Sequence, residues 1–126
     1  MAPGAALDAV FAYIDAHAGK TVEDLCELCR QPSVSTTDVG IEGMARLVQE
    51  RLGRAGFQTQ RFETTHNPII YGELRGRGPR TLLYYNHYDV QPPDPVEDWA
   101  SPPFEPAIRE GHVYARGATD NKGNIV

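Results

Sequence analysis

Residues 82–85 read Leu-Leu-Tyr-Tyr, an unbroken apolar run that passes through Asn86 into His87-Tyr88-Asp89. A strand with one wet face alternates apolar and polar side chains, whereas a continuous run asks for apolar cover on both faces. The run therefore predicts a central strand from Thr81 to Asn86, set in a mixed sheet with helices packed on it, an α/β fold. It also puts His87 and Asp89 where a buried strand opens into a loop, which is where sheets of this class hold their ligands.

The N-terminal third of the chain can supply the cover. Leu7, Val10, Phe11 and Ile14 fall at helical spacing between Ala5 and His17. Gly19 predicts the end of this helix, with His17 placed favourably near the negative end of its dipole. Thr21, three residues before Asp24, predicts a capped second helix running to Arg30. Pro32 closes it, and residues 33–38 read as a polar loop. From Gly40 to Ala55 a third helix carries Ile41, Met44, Leu47, Val48 and Leu52 on one side, and Gly56 stops it. Phe57–Glu63, half exposed, and Pro68–Leu74 are predicted strands. Residues 90–106 are Pro-rich and aperiodic, a long loop anchored by the rings of Trp99 and Phe104. Ala107–Ala115 predicts a hairpin turning at Glu110-Gly111.

With 126 residues, 40% apolar and 23% charged, the chain has the make-up of one soluble globular domain. A net charge of −5 with scattered Lys and Arg argues against a nucleic-acid partner. No stretch nears the roughly 18 apolar residues of a membrane span. Asp8 and Asp15 interrupt the Ala-rich start, which therefore lacks a signal-peptide pattern, and a cytoplasmic location is expected. Cys26 and Cys29 form a Cys-x-x-Cys pair, but two cysteines cannot complete a four-Cys zinc site, and no flanking Pro or Trp gives a redox setting. They read as small apolar residues on a helix face with Val22 and Leu25.

The chemistry-bearing residues cluster late. His87 and Asp89, two apart on a strand, point the same way. The carboxylate can then accept one ring N–H and leave the other ring nitrogen free for a metal. A structural His–Asp pair at a strand end fits the same local sequence. Asp120, just before Lys122-Gly123, reads as a helix N-cap or as a metal-binding carboxylate, and one oxygen can serve each role. Lys122 reads as helix-start packing or a solvent-facing charge. His66 reads as a surface-loop residue, and His112, past a hairpin turn, has no sign of a ligand role.

In series, these motifs resemble the dinuclear zinc amidohydrolases that include acetylornithine deacetylase, succinyl-diaminopimelate desuccinylase, aminoacylase, glutamate carboxypeptidase and the carnosinase-like dipeptidases. The family's first motif, a strand ending in His-x-Asp, stands here as His87-Tyr88-Asp89-Val90-Gln91-Pro92. Its second, Gly-Arg-Gly-x-x-Asp-x-Lys-Gly, stands as Ala115-Arg116-Gly117-Ala118-Thr119-Asp120-Asn121-Lys122-Gly123, with Ala115 in place of the frequent first Gly. Between them lie Trp99, Pro103-Phe104 and the Glu110-Gly111-His112 turn, and upstream Pro32-Ser33-Val34-Ser35 matches the helix-ending motif. The resemblance runs from about Leu7 onward, and the Asp-Val-Gln-Pro wording leans toward the dipeptidase-like branch.

The resemblance implies a three-layer zinc-exopeptidase-like catalytic domain, of which residues 1–126 are the N-terminal portion. His87 would ligate one of two Zn2+ ions, Asp120 would bridge both, and Asp89 would be the catalytic partner that orients His87. It also implies a cis peptide bond between Asp120 and Asn121, a small peptide or N-acyl amino acid as substrate, and a homodimeric parent. The family's general base, a Glu beside a ligating Glu, and its remaining ligands follow the second motif, as does its lid domain. Glu73 and Glu105 do not match those positions, so the chain alone is expected to be inactive. The competing expectation is a non-catalytic binding or interaction module, or a remnant.

Overall fold

The computed structural model describes residues 3–126. Its elements are α1 (Pro3–Arg30), α2 (Ile41–Arg54), the strands β1 (Gln58–Phe62), β2 (Ile69–Glu73), β3 (Ala107–Arg109) and β4 (His112–Tyr114), and single 3-10 turns at Val96–Asp98 and Lys122–Asn124. Helices and sheets coexist, as an α/β class requires. The sheets are two antiparallel pairs, β1–β2 and β3–β4, in place of one mixed sheet.

α1 is one helix of 28 residues where the sequence predicted two. Gly19 does not break it. A mid-helix glycine costs only about 1 kcal/mol against alanine, and no Pro follows to force a turn. Thr21 accordingly caps nothing: its hydroxyl donates back to the His17 carbonyl at 3.3 Å. His17 lies within the helix, its ring stacked on Tyr13 at 3.9 Å and its Nδ1 bonded to the Tyr13 carbonyl. Asp24 pairs with Lys20 and with Arg51 of α2.

The core gathers at the C-terminal end of α1. Leu28 meets Met44 and Val48 of α2, with Leu47, Leu52, Ile70, Tyr88 and Ile125 packed around them. Cys26 and Cys29 are buried free thiols in the same helix end, as their apolar reading expects. The other half of the predicted α1 stripe finds no cover: Leu7, Val10, Phe11 and Ile14 are all more than half exposed.

β1 and β2 pair with Gln60 opposite Tyr71 and Phe62 opposite Ile69, and both alternate exposed and half-buried residues. The Arg61 guanidinium makes a two-pronged bond to Glu42 of α2 at 2.8 and 2.7 Å, tying the hairpin to the helix. β3 and β4 turn at Glu110 and Gly111, both with positive φ, the pairing a two-residue hairpin turn demands.

The predicted central strand is overturned. Residues 81–86 form no strand, and Leu82, Leu83, Tyr84 and Tyr85 are 77–86% exposed. The physical reason is plain: a continuous apolar run records a need for cover on two faces, and no described residue pairs with it or covers it.

Candidate metal-binding site

Below the exposed run the chain is held firmly. Tyr88 to Val90 lies alongside Ser33 to Ser35: the Val90 amide donates to the Ser33 carbonyl at 2.8 Å, the Ser35 amide to the Val90 carbonyl at 3.4 Å, and Val34 bridges Val90 in parallel. The Ser33 hydroxyl, fully buried, donates to the Tyr88 carbonyl at 2.7 Å. Ser33 is thus a buried support at a position where the sequence alone predicts the start of a polar loop. Its only signal was the Pro-Ser-Val-Ser motif itself. The Tyr88 hydroxyl donates to the Pro68 carbonyl and so fastens this segment to the start of β2.

The second segment, 115–124, is a succession of turns. Gly117 has φ 88, and a Cβ there would lie 2.8 Å from a Val90 methyl and 3.0 Å from Lys122 Cδ, so only glycine lets this turn close on the first segment. A Cβ on Gly123 would sit 2.4 Å from the Ala118 carbonyl oxygen. Of the two roles the sequence allows Lys122, the structure shows packing at the start of the 3-10 turn and excludes a solvent-facing charge. Lys122 is fully buried, and its ammonium donates to the Leu28 carbonyl at 3.0 Å and to the Gln31 carbonyl at 2.6 Å. Burial pushes its pKa down to about 8, so it remains a cation at neutral pH. Asp120 is not a helix cap either: Asn121 precedes the 3-10 turn, without a side-chain capping bond.

These two segments bring together all three predicted residues. His87 Nδ1 faces the Asp89 carboxylate at 3.1 Å and the Asp89 carbonyl at 3.2 Å. His87 Nε2 faces Asp120 Oδ1 at 3.0 Å, although 33 positions separate the residues. The peptide bond between Asp120 and Asn121 is cis, as expected. Partial burial pulls the His87 pKa down. The Asp89 carbonyl, charge and carboxylate, with a further bond to Asp120, outweigh it and hold the imidazole above the ordinary histidine value. Asn86, also missed, donates to the Asn124 carbonyl at 3.0 Å and accepts from Asn121 at 3.4 Å.

The donor set fits zinc in kind. Imidazole nitrogen and carboxylate oxygen are ordinary zinc donors, and bonds near 2.0–2.2 Å let donors roughly 3 Å apart share one ion. It is short in number, since no group of three potential ligands converges among the described residues. Outside the site, His66 is exposed in its loop, and His112 bonds only the Glu110 carbonyl. Trp99 and Phe104 are only half-buried and outside the core, so the long loop is not anchored by burial of these rings; Trp99 instead donates to the Pro93 carbonyl within the loop at 2.8 Å and carries the Arg116 guanidinium 5.0 Å above its ring. A cleft of about 540 Å³ runs from that loop to Thr119.

Residues 83–126 match the model of peptidase family M20/M25/M40. The chain is 44% identical over 107 residues to a succinyl-diaminopimelate desuccinylase of Methylococcus capsulatus, covering 83% of this chain and 27% of that protein. It superposes on an M20 family metallo-carboxypeptidase of Sulfolobus solfataricus with TM-score 0.80 at 39% identity, over 83% of this chain and 24% of the other. On human carnosine dipeptidase 1 the TM-score is 0.82 at 30% identity, over 94% of this chain and 28% of the other. The chain thus spans about a quarter of the length of these relatives. Over the stretches matched it is similar in sequence and in fold to peptidases of family M20.

Proposed function

We propose that this chain is the N-terminal portion of the catalytic domain of a zinc-dependent hydrolase that cleaves a peptide or amide bond in a small substrate, a dipeptide or an N-acyl amino acid. The observation that carries the reading is the His87 imidazole held between two carboxylates, with Asp89 on Nδ1 and Asp120 on Nε2. His87 is the proposed ligand of one ion and Asp120 the carboxylate shared by two. Asp89 fixes the ring tautomer and makes the other nitrogen a better donor. Bound zinc would polarise the scissile carbonyl and bring the pKa of a water toward neutrality.

What the chain's own residues do is position and charge-balance the site. Asp120 is 82% exposed at its side chain, so its second oxygen is open to a further partner, as a bridging carboxylate requires. With two donors and no positioned general base among the described residues, we expect the chain alone to hydrolyse amides at no useful rate. General-base assistance alone is typically worth about 10²–10⁴-fold. We also place the parent protein in the cytoplasm and expect it to be a homodimer acting without nucleic acid or membrane. No helix of the described residues is long and apolar enough to cross a bilayer.

The test is a zinc titration of the purified chain, alongside a dipeptide and N-acyl amino acid hydrolysis screen on the longer protein that carries it. Zinc-dependent turnover in that protein, lost in His87→Ala and Asp120→Ala, is the expected result. Turnover unaffected by either substitution overturns the reading.

A further inference from the structure

The hydrogen bonds that join the two halves of the site directly are few and wet. The His87–Asp120 bond and the Asn86 bonds to Asn121 and Asn124 all lie at the exposed surface, where water competes for each partner. Beside the packing of Gly117 on Val90, the buried hydrogen bonds take another route. Both segments are fastened to one six-residue stretch at the end of α1, Leu28 to Ser33. The first is fastened by the Ser33 hydroxyl on the Tyr88 carbonyl and by the Val90 amide on the Ser33 carbonyl. The second is fastened by Lys122, whose Nζ reaches back 94 and 91 positions to the carbonyls of Leu28 and Gln31.

We propose that the stretch from Leu28 to Ser33, the end of α1 and the three residues after it, is a common clamp for the two halves of the site, with Lys122 and Ser33 as its positioning residues. A lysine at a fully buried position needs a reason, because its ammonium is costly to remove from water unless its donors are satisfied. The end of a helix leaves its last carbonyls without partners and carries partial negative charge, so it is the natural acceptor for such a cation. An apolar residue would fill the space but leave the Leu28 and Gln31 carbonyls unpaired. Lys122 also sits two residues after Asp120, and Tyr88 lies between His87 and Asp89. Each fastening therefore acts within two residues of a site side chain.

The clamp rests on the metal reading only for its consequence, a loss of zinc affinity; its geometric half stands without metal. Lys122→Met keeps most of the side-chain length and removes the donors, and Phe57→Ala, whose ring lies at Gly72 of β2 and touches neither fastening, controls for lost stability. The first readout is the His87 side-chain nitrogen spectrum of the metal-free chain at fixed pH, and the second is zinc affinity. Lys122→Met should move the Nε2 resonance of the folded chain toward that of a water-exposed imidazole and weaken zinc binding about tenfold or more, as loss of a supporting contact commonly does. Phe57→Ala should do neither. Overlap of the Lys122→Met and Phe57→Ala spectra would overturn the clamp. If Lys122→Met does not fold, Ser33→Ala decides in the same way through the other fastening. Zinc binding that is unchanged in His87→Ala would sink the metal reading, while the His87 spectra would still decide the clamp.

Discussion

His87 Nε2 and Asp120 Oδ1 lie 3.0 Å apart although 33 positions separate the two residues in sequence. What closes the gap is the packing of Gly117 against Val90, with no room for a single methyl group. The site is thus an encounter of two turns, and its precision depends on how tightly they can approach.

Gly117→Ala should for that reason be among the more damaging single-methyl changes. It meets both a positive φ and a Cβ clash with Val90 and Lys122. A loss of at least about 1 kcal/mol is expected, since a left-handed position penalises any side chain and close packing adds to it. Urea denaturation of the two proteins measures it, and equal midpoints would contradict the packing argument.

Asp89→Asn should spare the fold and damage the site. The amide is nearly the same shape, but it cannot offer His87 Nδ1 the anionic acceptor that now lies at 3.1 Å. Zinc affinity should fall about 10–100-fold with little change in the urea midpoint. Calorimetric titration reads the first quantity, and an unchanged affinity would remove Asp89 from its orienting role.

The acid limb of stability should depend on Asp24. Hydrogen bonds from Lys20 and then Arg51 hold its carboxyl below the ordinary value of 3.8. A depressed carboxylate contributes stability that is complete above the unfolded pKa and lost as pH falls through the folded one. Unfolding midpoints followed from pH 5 to pH 2 should therefore decline less steeply in Asp24→Asn than in the parent. Parallel declines would show that the link between α1 and α2 carries no net stability.

Along α1, amide exchange should be graded. Its last turns pack on α2 around Leu28, while the faces of Leu7, Val10, Phe11 and Ile14 are bare. Helical turns without tertiary contacts have little stability of their own. Amides of residues 7–14 should exchange far faster than those of residues 25–30. Uniform protection would mean that the first turns find a partner in solution.

Elements specified by local pattern were legible in the sequence. The α2 stripe, the two strands after it and the Glu110-Gly111 turn each follow from a period or from a φ that few residues adopt. The single α1 was not, because Gly19 and Thr21 are weak stop and start signals that a continuous helix can override. His87, Asp89 and Asp120 were legible through motif and chemistry. Ser33 and Lys122 were not, because the partners that justify burying them lie 55 to 94 positions away. The 82–85 run misled for the opposite reason: its pattern states a requirement for neighbours, and pattern alone does not say whether they are present.

That bare run has a practical consequence for anyone handling the chain. Leu82 to Tyr85 is apolar, exposed and without backbone hydrogen bonds among the described residues, which makes it a template onto which a like segment can add as a strand. Copies joining in this way would expose fresh edges in turn, so association would be open-ended, with no closed dimer at which to stop. Light scattering should therefore rise steeply with concentration, and a lysine at Leu83 or Tyr85 should hold the solution clear.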